Sequence, residues 1–565
     1  MRRIDKLLIA NRGEIAARII RTCRDMGIAT VAIYADPDRN APFVRQADEA
    51  IYIGPPMASA SFLAIEKIVE LARNAGADAI HPGYGFLAEN ADFAQACSDA
   101  GLIFIGPAPE AIRGMGNKSA AKEIARAAGV PVIPGFNAEG LSETAMARQC
   151  EELGFPVLLK AAAGGGGKGM RVVAATADLP AAIAAARREA KAAFGDDALL
   201  VERYIESPRH IEVQILGDQH GKLIHCFERE CSIQRRYQKI IEEAPSPAVD
   251  ETLRQRMTEA ALRLGARLRY SSLGTVEMVL DPAGSFYFLE VNTRLQVEHP
   301  VTEAVTGLDL VRLQIEVAEG APLPLEQKDV VLRGHAIECR LCAEDPAREF
   351  LPSTGRLAAW KAPELVGVRC DTGVISGSEI TIHYDSLIAK LIAYDFTRPA
   401  AARRMAQALR QTRVQGLASN RDLLLRIVES DPFLRGELDT HFLVRHGDLC
   451  DVSPQQTEID RTHALAAALW QQSRRREQAA VLRTIPSGWR NSPSQMQTVV
   501  FEARGNAIAI GYQMAGNHRA TATIDGAPHS VAVIDAEPDA IALEIDGMQR
   551  RFSVTEAADT CFVYS

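Results

Sequence analysis

The sequence predicts an α/β protein that opens on a doubly wound parallel sheet and closes on a small, mainly antiparallel β domain. Three observations carry this. Strand-like and helix-like segments alternate over the first 115 residues. Hairpins and longer helices replace them from about Met115 to Gly320. Beyond Gly447 a polar, helix-prone stretch gives way to Gly-punctuated strands such as TVVFEA, AIAIGYQM and IALEIDG. Strand-helix repetition implies parallel strands covered by helices on both faces, whereas short strands parted by turn residues imply antiparallel pairing. The 565 residues, 47% hydrophobic and 24% charged, are ample for several cores and exclude a disordered or fibrous chain. The predicted divisions are 1–115, 116–330, 331–447 and 448–565.

A net charge of −9 gives no global field for holding a phosphate backbone, so nucleic acid is not an expected partner and any anion site must be local. No stretch approaches the roughly 20 apolar residues that span a bilayer. The opening MRRIDKLLIANRGE has only a short apolar run, so no membrane association is expected, and the chain reads as cytoplasmic or matrix-type. Ten cysteines scatter from Cys23 to Cys561 without a framework, as reduced buried thiols do. Cys339-Arg-Leu-Cys342 has metal-ligand spacing but no second pair nearby, and packing is the expected role.

In the first division Lys6 to Ala10 forms an apolar strand, and Ile15, Ile19, Cys23 and Met26 recur at helical spacing until Gly27 stops the helix. The strand TVAIYAD, a helix around Ile65, Ile68 and Leu71, the strand ADAIHPGYG, another helix and LIFIG follow. Ligands of such sheets sit beyond the carboxyl ends of the strands. NRGE (11–14) and HPGYGFLAEN (81–90) fall there, either as a site or as turns with incidental polarity. The stretch 331–447 mixes short strands (HAIECRLCAED, IAKLIAYD) with an Ala/Arg-rich helix from Pro399.

Lys160 closes the strand FPVLLK, AAAGGGGKGM follows, and the chain returns as MRVVA. Gly164, Gly165, Gly166, Gly167 and Gly169 remove side chains where a backbone must approach an anion, and Lys168 adds mobile positive charge. A phosphate lid is the functional reading; a flexible surface hairpin is the plain one. It is not a Walker A loop, because no Ser or Thr follows Lys168-Gly169 and a strand comes next.

GTVEMVLDPAGSFYFLEVNTRLQVEHP reads as a hairpin around DPAGS. With a two-residue loop at Ala283-Gly284, Glu277 faces Glu290; with a four-residue loop from Asp281 to Gly284 it faces Phe288 and Glu290 lies diagonal. Opposed carboxylates make sense around a hard divalent cation such as Mg²⁺ shared with substrate phosphates. Alternation puts Glu290 and Asn292 on one face, and Arg294, Gln296 and Glu298 continue it if the chain stays extended. The alternative is a solvated edge with surface ion pairs. Upstream, HIEVQILGD alternates His210, Glu212 and Gln214 with apolar residues, and ECSIQRRYQKIIEEAP gathers Gln234, Arg235, Arg236 and Lys239. With Lys118, Lys160 and Lys168 these offer local positive charge suited to a triphosphate.

NRGEIAARI, HPGYGFLAEN, GNK (116–118), KAAAGGGGKGMR, PRHIEVQ, ERECSIQRRYQK, EAP (243–245) and FLEVNTRLQVEHPVTE together resemble the biotin carboxylase family of ATP-grasp enzymes over residues 1 to about 447. The tail, with SGWRN at 487–491, more weakly resembles the β-barrel domain of acyl-CoA carboxylase alpha subunits, and its GWR leans towards the 3-methylcrotonyl-CoA or geranyl-CoA type. The resemblance implies an N-terminal domain, an ATP-grasp domain with a mobile lid over about 131–204, an α+β C-terminal domain, and a linker helix with a subunit-contact β domain. It implies ATP, two divalent ions (Mg²⁺ or Mn²⁺) and bicarbonate in one cleft. Carried over by position, Lys118, Lys160, Glu202 and Ile205 hold the nucleotide with the glycine loop, and His210, Gln234 and Lys239 lie near ribose and phosphates. Glu277, Glu290 and Asn292 ligate metal. Arg294, Gln296, Val297 and Glu298 surround bicarbonate, and Arg340 faces the biotin ureido group with Tyr84 nearby.

On that reading Glu298 deprotonates bicarbonate for attack on the γ-phosphate. Carboxyphosphate breaks down to CO₂ and phosphate, and Arg340 stabilises the biotin enolate. Two departures stand out. Tyr237 occupies a position where relatives carry His or Asn, and no methionine is followed by lysine, so the Met-Lys-Met biotinylation site is missing. Biotin is then expected as a carrier-bound substrate, its carrier a separate polypeptide or sequence beyond Ser565. The other implied partners are a carboxyltransferase beta subunit and further copies in an oligomer. Competing readings are the biotin carboxylase of an acetyl- or propionyl-CoA carboxylase, another ATP-grasp ligase of purine or carbamoyl-phosphate type, and an inactive assembly module.

Overall fold

Apolar strands alternating with amphipathic helices build the parallel sheet at the N-terminus. The computed structural model describes all residues except 1, 139, 162–169, 195–196, 237, 452–453, 482–484, 486–488, 490–494 and 517, and the side chains of 118–119, 193–194 and 454–456. Strands β1 (Lys6–Ile9), β2 (Ala29–Ala35), β3 (Glu49–Gly54), β4 (Ala79–His81) and β5 (Ile103–Phe104) lie in the order β3-β2-β1-β4-β5, every pair parallel. Helix α1 (Gly13–Met26) buries Ile15, Ile19 and Cys23, and Gly27 ends it at φ 73°, a conformation that favours glycine. Strand order reverses at β1, the usual position for a ligand crevice. There Asn11 Nδ2 donates to the carbonyls of Pro82 and Tyr84, each at 2.7 Å, joining the loops that follow β1 and β4.

A small sheet follows, with β6 (Gly135–Asn137), β7 (Val157–Ala161), β8 (Arg171–Val173) and β9 (Leu199–Arg203) in the order β6-β9-β7-β8. It has its own core of Met146, Cys150, Val157, Leu159, Ile183 and Val201. The glycine run and Lys168, between β7 and β8, lie outside the described residues, as does Tyr237.

The largest sheet is antiparallel. Strands β10 (Arg209–Gly217), β11 (Leu223–Arg235), β12 (Gln238–Ala244), β13 (Ser272–Leu280), β14 (Phe286–Asn292) and β15 (His335–Cys342) join Leu387–Asp395 and Val368–Thr372 in one eight-stranded order that begins β14-β13-β10-β11-β12-β15. The sheet is continuous across residue 330, because β12 pairs with β15. Helix Glu251–Arg267 covers one face, packing Met257, Ala261 and Leu264 against Val213, Val276 and Met278.

In the tail, seven strands from Gln497–Ala503 to Thr560–Tyr564 follow one another in sequential antiparallel order. Helix Pro454–Glu477 is their packing partner: Leu465, Leu469 and Trp470 join Ile510, Leu543 and Phe552 in one core. Its flanks read as a polar linker, but the apolar run ALAAALW is what the strands enclose. The last strand also reaches back to the preceding division. Tyr564 donates its hydroxyl to the Val414 carbonyl at 2.9 Å, and the Arg421 guanidinium lies 4.6 Å from the Tyr564 ring centroid. Among the described residues no helix is long and apolar enough to cross a membrane.

Close backbone approach sets one sensitive position. A Cβ at Gly217, at the end of β10, would stand 2.0 Å from the Tyr270 carbonyl oxygen. Gly217→Ala is expected to cost about 2 kcal/mol and lower the unfolding temperature in a thermal scan. Gly447→Ala, with nothing within 4 Å of the added carbon, should leave it unchanged.

Candidate active site

The floor of the site comes from adjacent strands of the large sheet. Glu212 on β10 stands opposite Arg229 on β11 and Glu277 on β13. Arg229 is fully buried. Its Nε donates to Glu212, Nη1 to Gln214 Oε1 (2.8 Å) and Thr302 Oγ1 (2.9 Å), and Nη2 to Thr275 Oγ1 (3.1 Å). Burial works against its charge, but Glu212 and Glu298 outweigh it and raise the guanidinium pKa. Above this floor the Lys239 ammonium donates to Glu212 Oε2 at 2.6 Å, Glu277 Oε1 at 2.9 Å and Glu298 Oε1 at 2.7 Å. Burial alone would lower the Lys239 pKa; the three carboxylates together hold it well above its ordinary value.

The hairpin reaches its predicted pairing by a different route. Leu280 pairs with Phe286, Val279 with Tyr287 and Met278 with Phe288; a bulge then restores Glu277 opposite Glu290. The turn Asp281–Ser285 is longer than either loop read from the sequence, and the bulge at Leu289 absorbs the difference. Glu277 Oε1 also accepts from Asn292 Nδ2 (2.7 Å) and Gln296 Nε2 (2.9 Å), while Oε2 lies 2.8 Å from His210 Nε2. Burial would raise the Glu277 pKa, but Lys239 and His210 keep it low. Carboxylate and amide oxygens from Glu277, Glu290 and Asn292 suit a hard divalent ion such as Mg²⁺ or Mn²⁺. His210, Glu212 and Glu277 each bring a ligand atom within 4.8 Å of the others, widening the set of groups that could share such an ion.

Extended alternation ends at Asn292, so the parity expected for Arg294, Gln296 and Glu298 does not carry through: Glu298 stands just before the helix His299–Thr306 in a non-extended conformation, its side chain making no cap to that helix. The residues converge nevertheless. Arg294 donates from Nε to Glu89 Oε2 (3.0 Å), from Nη2 to Asn292 Oδ1 (2.9 Å) and from Nη1 to Gln296 Oε1 (2.8 Å). Glu298, fully buried, accepts from Lys239 at Oε1 and from Arg340 Nη2 at Oε2 (3.0 Å). Burial would raise its pKa; Lys239, Arg340 and Arg229 keep it well below the usual carboxylate value, so it is an ionised base at neutral pH. Arg340 comes within reach because β15 pairs with β12, and its Nε donates to Glu242 Oε1 at 2.5 Å. The Val297 carbonyl accepts from the buried Lys390 at 2.7 Å. Lys390 also lies 3.1 Å from Glu14 Oε1, the atom that receives the Tyr84 hydroxyl.

Glu277, Glu290, Asn292, Arg294, Glu298 and Arg340 line one cleft of about 760 Å³ together with Lys160, Glu202, Ile205, His210, Gln234 and Lys239, while Glu212, Arg229 and Lys390 lie beneath its surface. Lys160 Nζ lies 2.5 Å from Glu202 Oε2, and Lys122 pairs with the same carboxylate. Ile205 lines the cleft beside them, and Gln234 Nε2 lies 3.1 Å from His210 Nδ1. The Lys118 side chain and Gly164, Gly165, Gly166, Gly167, Lys168 and Gly169 fall outside the described residues. Sequence reading missed Glu14, Glu89, Lys122, Arg229, Glu242 and Lys390. Only Glu14 and Glu89 carried a usable signal, since both lie in polar strings at the carboxyl ends of parallel strands.

Family models match the chain in order: "Biotin carboxylase, N-terminal domain" over residues 3–112, "Carbamoyl-phosphate synthase L chain, ATP binding domain" over 117–326, "Biotin carboxylase C-terminal domain" over 338–445, and "Methylcrotonyl-CoA carboxylase, alpha-subunit, BT domain" over 460–565. The chain is 51% identical over 443 residues to the biotin carboxylase of Nostoc sp., covering 78% of this chain and 99% of that one. It is 43% identical over 549 residues to the mitochondrial methylcrotonoyl-CoA carboxylase subunit alpha of Dictyostelium discoideum, covering 94% and 78%. The mouse protein of the same name is 47% identical over 467 residues, 82% of this chain, and the match spans 65% of its length. Among solved structures, the Campylobacter jejuni biotin carboxylase in complex with β,γ-ATP superposes with a TM-score of 0.76 at 44% identity, covering 79% of this chain and 99% of that one.

The electrostatics fix an acid limb of stability. Glu277 and Glu298 have folded-state pKa values below those of the unfolded chain. Their contribution is therefore complete above the unfolded carboxylate value of about 4.3 and is lost as pH falls through the lowered values. The Lys239 contribution, with its pKa raised, is fully present below the unfolded lysine value of about 10.4. Lys239→Met should lower the unfolding temperature at neutral pH and flatten its decline between about pH 5 and about pH 3, as read from thermal scans across pH.

Proposed function

Since the chain belongs to the biotin carboxylase family, we propose that it carboxylates biotin on a carrier protein, using ATP and bicarbonate, as the alpha component of an acyl-CoA carboxylase. One observation carries the reading: Glu298 is a buried, ionised carboxylate held between Lys239 and Arg340, with Arg294 and Gln296 in the same cleft as the acidic hairpin.

Lys160, Glu202, Ile205, His210 and Gln234, with Lys118 and the glycine run, hold ATP. Glu277, Glu290 and Asn292 hold divalent ions, which when bound neutralise charge on the transferring phosphoryl group. Arg294 and Gln296, with the main chain at Val297, orient bicarbonate. Glu298 takes its proton as the bicarbonate oxygen attacks the γ-phosphorus, giving carboxyphosphate and ADP. Carboxyphosphate then yields CO₂ and phosphate, the phosphate accepts the N1′ proton of biotin, and Arg340 stabilises the enolate oxygen, with Tyr84 beside it. Lys239 keeps Glu298 charged and ready.

The divisions 1–115, 116–330 and 331–447 form the carboxylase proper, and 448–565 is a contact domain for a carboxyltransferase beta subunit in an oligomeric complex. The match of residues 460–565 to the methylcrotonyl-CoA carboxylase model supports a 3-methylcrotonyl-CoA type. The compartment is the cytoplasm or, as the names of the mouse and Dictyostelium relatives say of those proteins, the mitochondrion.

Protein mixed with ATP, Mg²⁺, bicarbonate and free biotin should release phosphate in a biotin-dependent manner. Glu298→Gln should lower that rate on the order of 100-fold or more; equal rates would overturn the assignment. Chelation of divalent ions should abolish turnover, and either Mg²⁺ or Mn²⁺ should restore it. Supplied with a biotinylated carrier and a carboxyltransferase, the chain should support carboxylation of 3-methylcrotonyl-CoA in preference to propionyl-CoA or acetyl-CoA.

A further inference from the structure

Two glutamates beneath Arg340 have no part in the chemistry above. Glu242 on β12 and Glu338 on β15 stand directly opposite each other, and both are fully buried. Like charges opposed across a strand pair repel, and away from water each would need its own cation. The cations are unequally shared. Arg340 donates to Glu242 Oε1 and Glu298 Oε2. Lys390, opposite Arg340 on the next strand, is committed to the Val297 carbonyl and Glu14. Among the described residues, neither oxygen of Glu338 has a hydrogen-bond partner, and Glu242 has one only at Oε1.

The groups facing this pair are few. They are Arg340 on the strand of Glu338, Lys390 beyond it, Lys239 on the strand of Glu242, whose ammonium is committed to Glu212, Glu277 and Glu298, Glu298 itself before the helix His299–Thr306, and the thiols of Cys231 and Cys339, which burial keeps uncharged. A buried carboxyl without a hydrogen-bond partner is stable only with its proton on. We infer that Glu242, ionised, is the positioning residue that aims Arg340 at the biotin ureido oxygen, and that Glu338 opposite it is a neutral acid that leaves Arg340 shared by Glu242 and Glu298 alone. The inference rests on the reading of Arg340 as the biotin-facing group. Burial, opposed by Arg340, raises the Glu242 carboxyl to about 7, and burial raises that of Glu338 well above its ordinary value. Arg340 therefore keeps both partners above neutrality and loses one as the solution is acidified.

The test uses the full chain with free biotin, measuring biotin-dependent phosphate release from about pH 6 to about pH 9, alongside bicarbonate-dependent ATP cleavage without biotin and the KM for ATP. For the wild type, biotin-dependent kcat/KM should fall below about pH 7, with a steeper fall than the biotin-free reaction. Glu242→Gln should lower biotin-dependent kcat/KM on the order of tenfold at pH 8 and remove that acid limb, leaving the KM for ATP unchanged. Glu338→Gln, which mimics the neutral acid, should keep wild-type kcat/KM within about twofold. Wild-type kinetics in Glu242→Gln, or equal losses in the two variants, would overturn the inference. If Glu242→Gln does not fold, the wild-type limb and Glu338→Gln decide: a missing limb or a tenfold loss refutes it. A wild-type chain with no biotin-dependent turnover would instead refute the reading of Arg340.

Discussion

One ammonium, that of Lys239, is shared by Glu212, Glu277 and Glu298, and these carboxylates come from β10, β13 and the turn that follows β14. The arrangement is stable because each charge compensates another: three buried carboxylates would repel without a cation, and a buried ammonium would lose its proton without them. Arg229 repeats the device one layer down, with its guanidinium divided among Glu212 and three neutral oxygens. The cleft is therefore held open by charge balance as well as by packing.

Charge balance also divides labour among chemically identical side chains. Glu277 lies beside Asn292 and His210 and faces Glu290, so it belongs with the groups able to share a divalent ion. Glu298 lies between Lys239 and Arg340 and turns one oxygen of its carboxylate to each. Glu202 pairs with two lysines, Lys160 in the lining of the same cleft and Lys122 behind it. Five glutamates, counting Glu212 and Glu290 with these three, thus acquire different tasks from their neighbours alone.

Much of this was legible in the sequence, for physical reasons. Helical and strand periods exposed the parallel sheet, and two glutamates inside apolar strands betrayed the acidic hairpin. Register succeeded there only because the bulge at Leu289 offset a turn longer than expected. Alternation misled beyond Asn292, where the chain turns into a helix and brings Glu298 into place by a bend. Residues whose partners are remote in sequence left no local trace: Glu242 meets Arg340 98 positions away, and Lys390 meets Val297 93 positions away. The helix Pro454–Glu477 was read by its charged flanks, while the short apolar run at its centre decided its place in the core.

Strand β12 carries Lys239 and pairs with β15, which carries Arg340; under the proposed function the first serves phosphoryl transfer and the second the biotin ring. The ladder between them acts as a fixed ruler: the spacing of the two reaction centres is set by hydrogen-bond repeat and cannot be adjusted by sliding one part of the enzyme past another. Under the proposed function, coordination of the two steps then comes from what passes along the ruler, the one-carbon unit and its acceptor, while the ruler itself stays still.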